Sequence, residues 1–241
     1  MKLLAIDTSN RPVSVAVLAD TKILATATTT VGRNSSVTLL PLIEQAIAQA
    51  GLTADDIDRV VVADGPGSYT GLRIGVTTAK TFAYTLNKEL VGVSSLAVLA
   101  ANVTIEDQLV APLFDARRDN LFTGLYRMHA GRPVPVIADQ HIGAAEWAQQ
   151  LKAYQAPIVF VGTAVDQYQA GLQATLQANF VRALPQQDLP QAAVLGLLGR
   201  TMTPVKQLHA FVPHYLRLTQ AESEWLAKHP KEDHAPYVEK I

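Results

Sequence analysis

The sequence of 241 residues contains no cysteine. This absence excludes disulfides, iron–sulfur clusters, thiol nucleophiles and cysteine-bound zinc, and it is consistent with a reducing compartment. Long apolar runs are also missing, since the longest fall far short of the ~20 residues that a membrane helix needs. The first apolar run stops at Asp7 after only a few residues, which is too short for a signal peptide. We therefore expect a cytoplasmic protein without a membrane segment.

The sequence also has no large excess of positive or negative charge. Lys and Arg number 20 and Asp and Glu number 21, so the net charge is −1. No basic excess indicates a nucleic-acid or membrane-surface partner, although a local basic patch is compatible with a neutral total. The chain has 49% apolar residues against 17% charged ones, which is typical of a packed core in one or two domains.

Histidine is missing from the N-terminal half of the chain. The first histidine is His129, in the C-terminal half. The six histidines include no pair spaced three or four residues apart, the spacing with which one helix presents two of them to a metal ion. The sequence also lacks the Gly-x-Ser-x-Gly elbow of a serine hydrolase. We therefore predict neither a metal site nor a catalytic triad.

The spacing of apolar residues alternates between a strand period of two and a helix period of three to four. In the first hundred residues it predicts strands at 3–7, 13–18, 23–30, 59–63 and 90–93, and helices at 38–50, 72–86 and up to 101. From residue 109 the same order returns, with predicted strands at 109–114, 121–128 and 134–138 followed by alternating helices and strands.

Both halves therefore have the order β-β-β-α-β-α-β-α. This duplication predicts an α/β protein with the actin-like ATPase (ASKHA, ribonuclease H-like) fold, in which two such halves enclose a nucleotide. We expect an N-terminal actin-like subdomain at 1–105, a second one at 106–218, and a C-terminal helix and loose tail at 219–241. Two unrelated α/β domains are the alternative.

The most specific string is a glycine-rich loop between a predicted strand and a predicted helix, with Gly65, Gly67, Gly71 and Gly75. Backbone amides at the start of the helix would suit an anion. The loop lacks both the Gly-Lys-[Ser/Thr] end of a Walker A motif and the glycine spacing of a dinucleotide fingerprint. Two interpretations stay open, a phosphate cradle and a sharp structural connection.

Two turns carry polar side chains that suit an anion or a cation. After the first strand, Asp7, Thr8 and Ser9 offer a carboxylate and two hydroxyls to a nucleotide phosphate or to magnesium. The alternative is a hairpin turn with local hydroxyl hydrogen bonds. After the first strand of the second half, Arg117 and Arg118 offer positive charge to phosphate, RNA or a partner's acidic group, and the alternative is a solvated hairpin tip.

Four strings together resemble the TsaB (YeaZ) family of tRNA threonylcarbamoyladenosine biosynthesis proteins. They are residues 4–9 (LAIDTS), the loop at 65–75 (GPGSYTGLRIG), residues 115–118 (DARR) and residues 213–217 (PHYLR). Their order and spacing agree across nearly the whole chain, and the glycine loop is the most specific of them.

The resemblance implies a non-catalytic subunit, an inactive paralogue of TsaD, rather than an enzyme. In the family, TsaB pairs with TsaD and acts with the ATPase TsaE. Together they transfer threonylcarbamoyl to the adenosine next to the anticodon of tRNAs that read codons beginning with A. The resemblance also implies that the chain can form a homodimer through the surface that pairs with TsaD. It implies contact with tRNA only through the complex and no membrane partner.

For ligands, the resemblance implies a vestigial nucleotide site at Asp7, Thr8 and Ser9. It implies no cofactor for this chain alone, with ATP or ADP at most at an interface of the complex. TsaD-type proteins carry a His-x-x-x-His pair on the first helix, whereas residues 33–41 here read RNSSVTLLP. Because a metal ion needs several donor side chains, this segment cannot support metal-assisted transfer. An autonomous actin-like ATPase or phosphotransferase is the alternative, and the missing pair disfavours a metallopeptidase.

The resemblance also places partner binding on the helices of the N-terminal subdomain. Small residues on one helix face allow the close approach of helices from another chain. The predicted interface residues, which alternatively pack only within the subunit, are Leu39, Ile43, Ile47, Val76, Ala79, Lys80 and Ala83.

Overall fold

A computed structural model describes residues 1–30 and 35–217. The strands of this part of the chain are β1 (Lys2–Asp7), β2 (Val13–Ala19), β3 (Lys22–Thr29), β4 (Arg59–Gly65), β5 (Glu89–Ser94), β6 (Leu109–Asp115), β7 (Asn120–His129), β8 (Arg132–Gly143), β9 (Ile158–Val161) and β10 (Phe180–Arg182). The α-helices are α1 (Ser35–Gln49), α2 (Tyr69–Thr85), α3 (Ser95–Ala100), α4 (Ala144–Leu151), α5 (Val165–Leu176) and α6 (Ala192–Gly199).

The first five strands form one sheet in the order β3-β2-β1-β4-β5. Strand β1 is antiparallel to β2 and parallel to β4, and Ala5 pairs with Ala16 on one side and Val61 on the other. Its apolar residues are buried because the strand lies in the middle of the sheet with both faces covered. Since β1, β4 and β5 are parallel, their carboxyl ends meet at one edge, where Asp7 and Ser94 lie.

The last five strands form a second sheet in the order β10-β9-β6-β7-β8. Read in the opposite direction, this order repeats that of the first sheet, with β6 in the position of β1. Strand β6 is antiparallel to β7 and parallel to β9, as β1 is to β2 and β4. Asp115 therefore ends the central strand of the second sheet as Asp7 ends that of the first.

Helices α1 and α2 cover one face of the first sheet, and α4 and α5 cover one face of the second. In the first half, Ala46 of α1 and Ala79 of α2 are fully buried against the β-branched residues of β2 and β4. In the second half, Trp147 of α4 is the largest fully buried side chain of its core.

The remaining helix of each half packs on the sheet of the other half. Helix α6 follows the second sheet in sequence but packs on β1 and β2, and a β-carbon on Gly196 would overlap Leu18 of β2. Helix α3 follows β5 and lies between the two sheets, since Leu96 and Leu99 pack on β6 and β7 while Val98 packs on the first sheet. A division of the chain at residue 105 therefore describes chain order and does not separate the cores.

The duplicated sheet order and the alternating helices confirm the predicted actin-like fold, with two β-β-β-α-β-α-β-α halves. Most predicted elements lie within one or two residues of the observed ones. Among the described residues, none of the helices is both long and apolar enough to span a membrane.

Helix α1 begins earlier than predicted, at Ser35, so Pro41 lies inside the helix and not in its first turn. Pro41 is exposed, and because proline has no amide hydrogen the helix lacks the bond that this position would otherwise make to the carbonyl of Val37. Strand β8 continues to Gly143, beyond the predicted end at residue 138. The predicted helix from residue 219 and the tail lie outside the described residues.

Candidate functional site at the junction of the halves

The turn after β1 is a closed polar turn. Asp7 is 1% exposed, and its Oδ1 accepts hydrogen bonds from the amide of Ser9 at 2.9 Å and its hydroxyl at 2.7 Å. Its Oδ2 has no partner among the described residues. Burial raises the pKa of Asp7 above its usual value, and the bonds from Ser9 oppose this. Asp7 therefore holds one buried carboxyl oxygen that has no hydrogen-bond partner among the described residues.

The glycine-rich loop packs directly on that turn. A β-carbon on Gly67 would overlap the carbonyl oxygen of Ser9, and β-carbons on Gly71 and Gly75 would overlap the carbonyl and hydroxyl oxygens of Thr8. The Thr8 hydroxyl donates to the carbonyl of Gly71 at 2.7 Å. These three glycines therefore let α2 begin in contact with the turn after β1. They lie against the backbone and side chains of Thr8 and Ser9.

A third string reaches the same place from the end of the described chain. We define the C-terminal strap as residues 205–217. The amide of His214 donates to the carbonyl of Asp64 at 2.7 Å. Gly65 has a φ of +127°, and a β-carbon there would overlap the carbonyl oxygen of His214. The strap thus passes over the carboxyl end of β4.

Lys80 of α2 holds the strap in place. Its Nζ donates to the carbonyl oxygens of His209 at 2.9 Å and Phe211 at 2.7 Å. The amide of Val205 also donates to the carbonyl of Leu90 on β5, at 2.8 Å. The strap therefore runs along the first half, from β5 across α2 to the end of β4.

The fourth string is the β6–β7 turn, which the strap also reaches. Arg217 Nη1 donates to the carbonyl of Ala116 at 2.9 Å. The carboxylate of Asp115 accepts from the amide of Arg117 at 2.8 Å and from the hydroxyl of Tyr168 at 3.3 Å. All four strings of the resemblance therefore meet at the junction of the two halves.

Carboxylates from both halves lie at this junction. Asp139 of β8 accepts hydrogen bonds from Ser94, at the end of β5, at 2.5 Å and from Tyr126 of β7. Burial raises the pKa of Asp139, while the bonds from Ser94 and Tyr126 and the charge of His214 lower it. Burial also raises the pKa of Asp64 to about 6, and the charge of His214 opposes that rise. Burial therefore raises the pKa of a carboxyl group from each half at this junction.

Most of the predicted interface residues are buried within the first half, as the alternative of packing within the subunit has it. Val76, Ala79 and Ala83 are at most 2% exposed because their stripe of α2 faces the sheet, and Leu39 is likewise buried. Lys80 binds the strap. Ile43 and Ile47 form the floor of a groove between α1 and α2, lined by Leu40, Ile43, Glu44, Ile47, Ala48, Leu52, Ala54 and Phe82.

Potential metal ligands are few in the described part of the chain. There, one group of three such residues lies close together, Glu106, Asp107 and His129, and all three are exposed. The carboxylate of Glu106 already contacts His129 Nδ1 at 3.2 Å and accepts from the amide of Ala130. Helix α1 contributes no histidine.

Sequence reasoning identified residues 213–217 but not the contacts of the strap, and it missed the carboxylates of the junction. Asp64 directly follows a run of buried β-branched residues, which is a usable signal for a polar group at a sheet edge. Asp139 gave no such signal, because it lies within a strand predicted to end one residue earlier. Neither residue is near His214 in sequence, so only the fold brings them together.

The fold and the four joined strings define an actin-like protein. The family model described as TsaD, tRNA N6-adenosine threonylcarbamoyltransferase, matches residues 23–225. The chain is 37% identical to the tRNA threonylcarbamoyladenosine biosynthesis protein TsaB of Bacillus subtilis over 94% of this chain and 98% of that protein. The chain belongs to the TsaB family, as the four strings predicted.

Two further similarities agree with this assignment. A solved structure from Pseudomonas aeruginosa, of a protein described as similar to peptidase YEAZ, has a TM-score of 0.75 and 26% identity. The matched region covers 90% of this chain and 99% of the chain in that structure. The tRNA N6-adenosine threonylcarbamoyltransferase of Listeria monocytogenes is 36% identical over 104 residues, which cover 43% of this chain and 30% of that protein.

Proposed function

We propose that this chain is the non-catalytic subunit that binds and activates a TsaD-type enzyme. With a TsaE-type ATPase, the pair transfers threonylcarbamoyl to the adenosine next to the anticodon of tRNAs that read codons beginning with A. Membership of the TsaB family over nearly the full chain carries the proposal. The proposal needs no cofactor on this chain alone and assigns any ATP or ADP to an interface of the complex.

The geometry of the first half supports a non-catalytic role. The glycines of the loop pack on Thr8 and Ser9, so the space that a phosphate would need beside them is filled by the chain. The carboxyl group of Asp7 is buried, and one of its oxygens already accepts two hydrogen bonds from Ser9, so it is poorly placed to bind magnesium. Helix α1 lacks the histidine pair of TsaD-type proteins.

The partner surface that we propose is the outer face of α1 and α2. Val37 and Leu40 of α1 are 66% and 63% exposed, and Leu40 borders the groove above Ile43 and Ile47. Exposed apolar side chains beside an apolar groove are typical of a protein interface. We assign this surface to the TsaD-type subunit, and the same face would serve a homodimer in its absence.

Leu40→Glu tests this surface. A charge placed in an apolar contact is expected to weaken capture of the TsaD-type subunit at least about tenfold. Threonylcarbamoyl transfer by the mixed proteins should fall in parallel. The matched control is Leu184→Glu, because Leu184 is 58% exposed but lies in the second half. The size of the chain alone, measured by light scattering, shows whether Leu40→Glu also abolishes a homodimer.

Two results would overturn the proposal. The first is full capture and transfer with Leu40→Glu in a chain that is folded by circular dichroism. The second is hydrolysis of ATP by the purified chain alone, which would favour an autonomous actin-like ATPase. In that event, replacing Asp7 by Asn should abolish the hydrolysis, whereas a contaminating ATPase would be unaffected.

A further inference from the structure

The β6–β7 turn is strained and tightly held. Arg117, Arg118 and Asp119 have φ values of 65°, 52° and 57°, a run of three non-glycine residues in the left-handed region. Such a conformation costs roughly 1–2 kcal/mol per residue, so the surroundings must enforce it. The side-chain amide of Asn120 donates to the carbonyls of Arg117 and Arg118, at 3.4 and 2.8 Å.

More hydrogen bonds fix the two ends of this turn. The amide of Ala116 donates to the carbonyl of Asn120 at 2.9 Å, and the amide of Ala144 donates to the carbonyl of Asp119 at 2.9 Å. The carboxylate of Asp115 is occupied by the amide of Arg117 and by Tyr168. The turn is therefore preorganised, and its carbonyl and carboxylate groups face inward to hold it.

The arginine side chains of the turn are left for another molecule. Arg117 and Arg118 are exposed, and neither guanidinium forms a hydrogen bond or an ion pair with a residue in the ranges 1–30 and 35–217. Arg217 of the strap docks on the same turn through its bond to Ala116. Three guanidinium groups thus come from two strings that are about a hundred residues apart in sequence.

Exposed aromatic rings adjoin these arginines on the strap side. Tyr215, two residues before Arg217, contacts Tyr69 at the start of α2, with ring centroids 5.0 Å apart and ring planes tilted by 32°. Arg73 lies over the Tyr69 ring at 4.4 Å and donates to the Tyr215 hydroxyl at 3.2 Å. The two rings are 39% and 37% exposed, so about a third of each residue faces solvent.

We propose that this patch, composed of Arg117, Arg118, Arg217, Arg73, Tyr69 and Tyr215, contacts an unpaired strand of tRNA within the complex. Guanidinium groups bind phosphates by paired hydrogen bonds, and exposed aromatic rings stack on unpaired bases. The patch has four arginines, and the β6–β7 turn carries two carboxylates, Asp115 and Asp119, of which Asp115 is already used by the turn. An acidic protein would use the arginines but not the paired rings, which is why we favour RNA.

This inference rests on the proposed function, because the RNA is the substrate of the complex. The test uses the full-length chain, alone and mixed with the TsaD-type subunit. The probe is an unmodified tRNA transcript that reads a codon beginning with A, and its binding is measured by fluorescence anisotropy at several salt concentrations. Capture of the TsaD-type subunit is measured on the same samples, so that failure of the proposed function is seen separately.

Replacing Arg117 and Arg118 together by Glu is expected to lower the affinity for tRNA at least tenfold. Loss of two phosphate contacts should also reduce the slope of log K against log[salt] by about 1.4. The matched control replaces Arg127 and Arg132 by Glu. These residues flank the β7–β8 turn at the far end of β7, roughly 30 Å away. Affinity should stay within twofold for this control.

A second pair of variants separates charge and stacking from folding. Replacing Arg117 and Arg118 by Lys keeps the charge and should restore most of the affinity, whereas Tyr215→Ala should weaken binding without changing the salt slope. Unchanged affinity and slope in the double Glu variant would overturn the proposal. Loss of subunit capture with unchanged tRNA binding would also overturn it and would assign the arginines to an acidic protein surface.

Discussion

The side chain of Thr8 fills the space into which a β-carbon on Gly75 would project. Thr8 lies in the turn after β1 and is fully buried, and its hydroxyl also donates to the carbonyl of Gly71 at 2.7 Å. Helix α2 therefore starts in direct contact with the first turn of the chain. The loop between β4 and α2 serves this contact, and the spacing of its glycines follows the surface of Thr8 and Ser9.

Gly75→Ala is therefore expected to destabilise the protein. The added methyl group meets a buried hydroxyl that has no room to move, so we expect the free energy of unfolding to fall by about 1–3 kcal/mol. Urea denaturation measures the change. The control is Gly171→Ala in α5, where a β-carbon meets nothing within 4 Å. That change should be neutral or stabilise by up to about 1 kcal/mol. Equal stability of the two variants would contradict the contact.

Lys80→Met should release the strap. The substitution keeps the apolar stem but removes the donor to His209 and Phe211. Hydrogen bonds to charged groups contribute about 1.5–3 kcal/mol, so strap amides such as that of His214 should exchange with solvent at least about tenfold faster. Hydrogen–deuterium exchange measures this directly. The control is Lys152→Met, at the exposed end of α4. If strap amides exchange as slowly in Lys80→Met as in the unchanged protein, Lys80 is not needed to hold the strap.

Asp64 makes stability depend on pH between about 4 and 6. Burial raises its pKa to about 6 from the usual 3.8, so the folded chain keeps a proton that the unfolded chain has released. Stability contributed by this group therefore falls as the pH rises through this range and stays lower above it.

Asp64→Asn removes this titration and should stabilise the protein more at pH 8 than at pH 4. The difference is up to roughly 3 kcal/mol, because each unit of pKa shift corresponds to about 1.4 kcal/mol. Thermal denaturation across the pH range gives the measurement. Asp55→Asn, an exposed carboxylate in the loop after α1, is the control. Parallel curves for the wild type and Asp64→Asn would show that Asp64 does not titrate in this range.

Arg182 contacts two carboxylates of different burial, which allows an internal comparison. Asp188 is 7% exposed, accepts two hydrogen bonds from the guanidinium at 2.8 and 2.6 Å, and accepts a third from the amide of Gly162. Asp166 is largely exposed and accepts one at 3.0 Å. Asp188→Asn should cost about 3 kcal/mol of folding free energy and Asp166→Asn less than about 1 kcal/mol. Similar losses in chemical denaturation would contradict this ranking.

The sequence predicts the fold well because apolar periodicity is a local property. The alternation in β2 and the apolar run in β4 each depend on neighbours within a few residues. Periodicity does not choose between the two interpretations of the predicted interface residues. Small residues such as Ala79 and Ala83 suit close packing on a sheet as well as on another helix, and one sequence does not distinguish these surfaces.

The candidate site was predictable only in part. The four strings are visible in the sequence, but the contacts that explain them are not. Gly71 faces Thr8 across 63 residues, and Ala116 meets Arg217 across 101. The two interpretations of the glycine loop differ in what occupies the space beside it. That occupant is a distant turn of the same chain, which local patterns do not reveal.

The exchange of α3 and α6 between the halves has a consequence for synthesis of the protein. The face of the first sheet that carries Leu3, Leu18 and Val61 is covered by α6, which begins only at Ala192. While the second half is still being translated, this apolar face is therefore open as the first sheet leaves the ribosome. We expect the nascent N-terminal half to require a chaperone until α6 has emerged and closed the sheet.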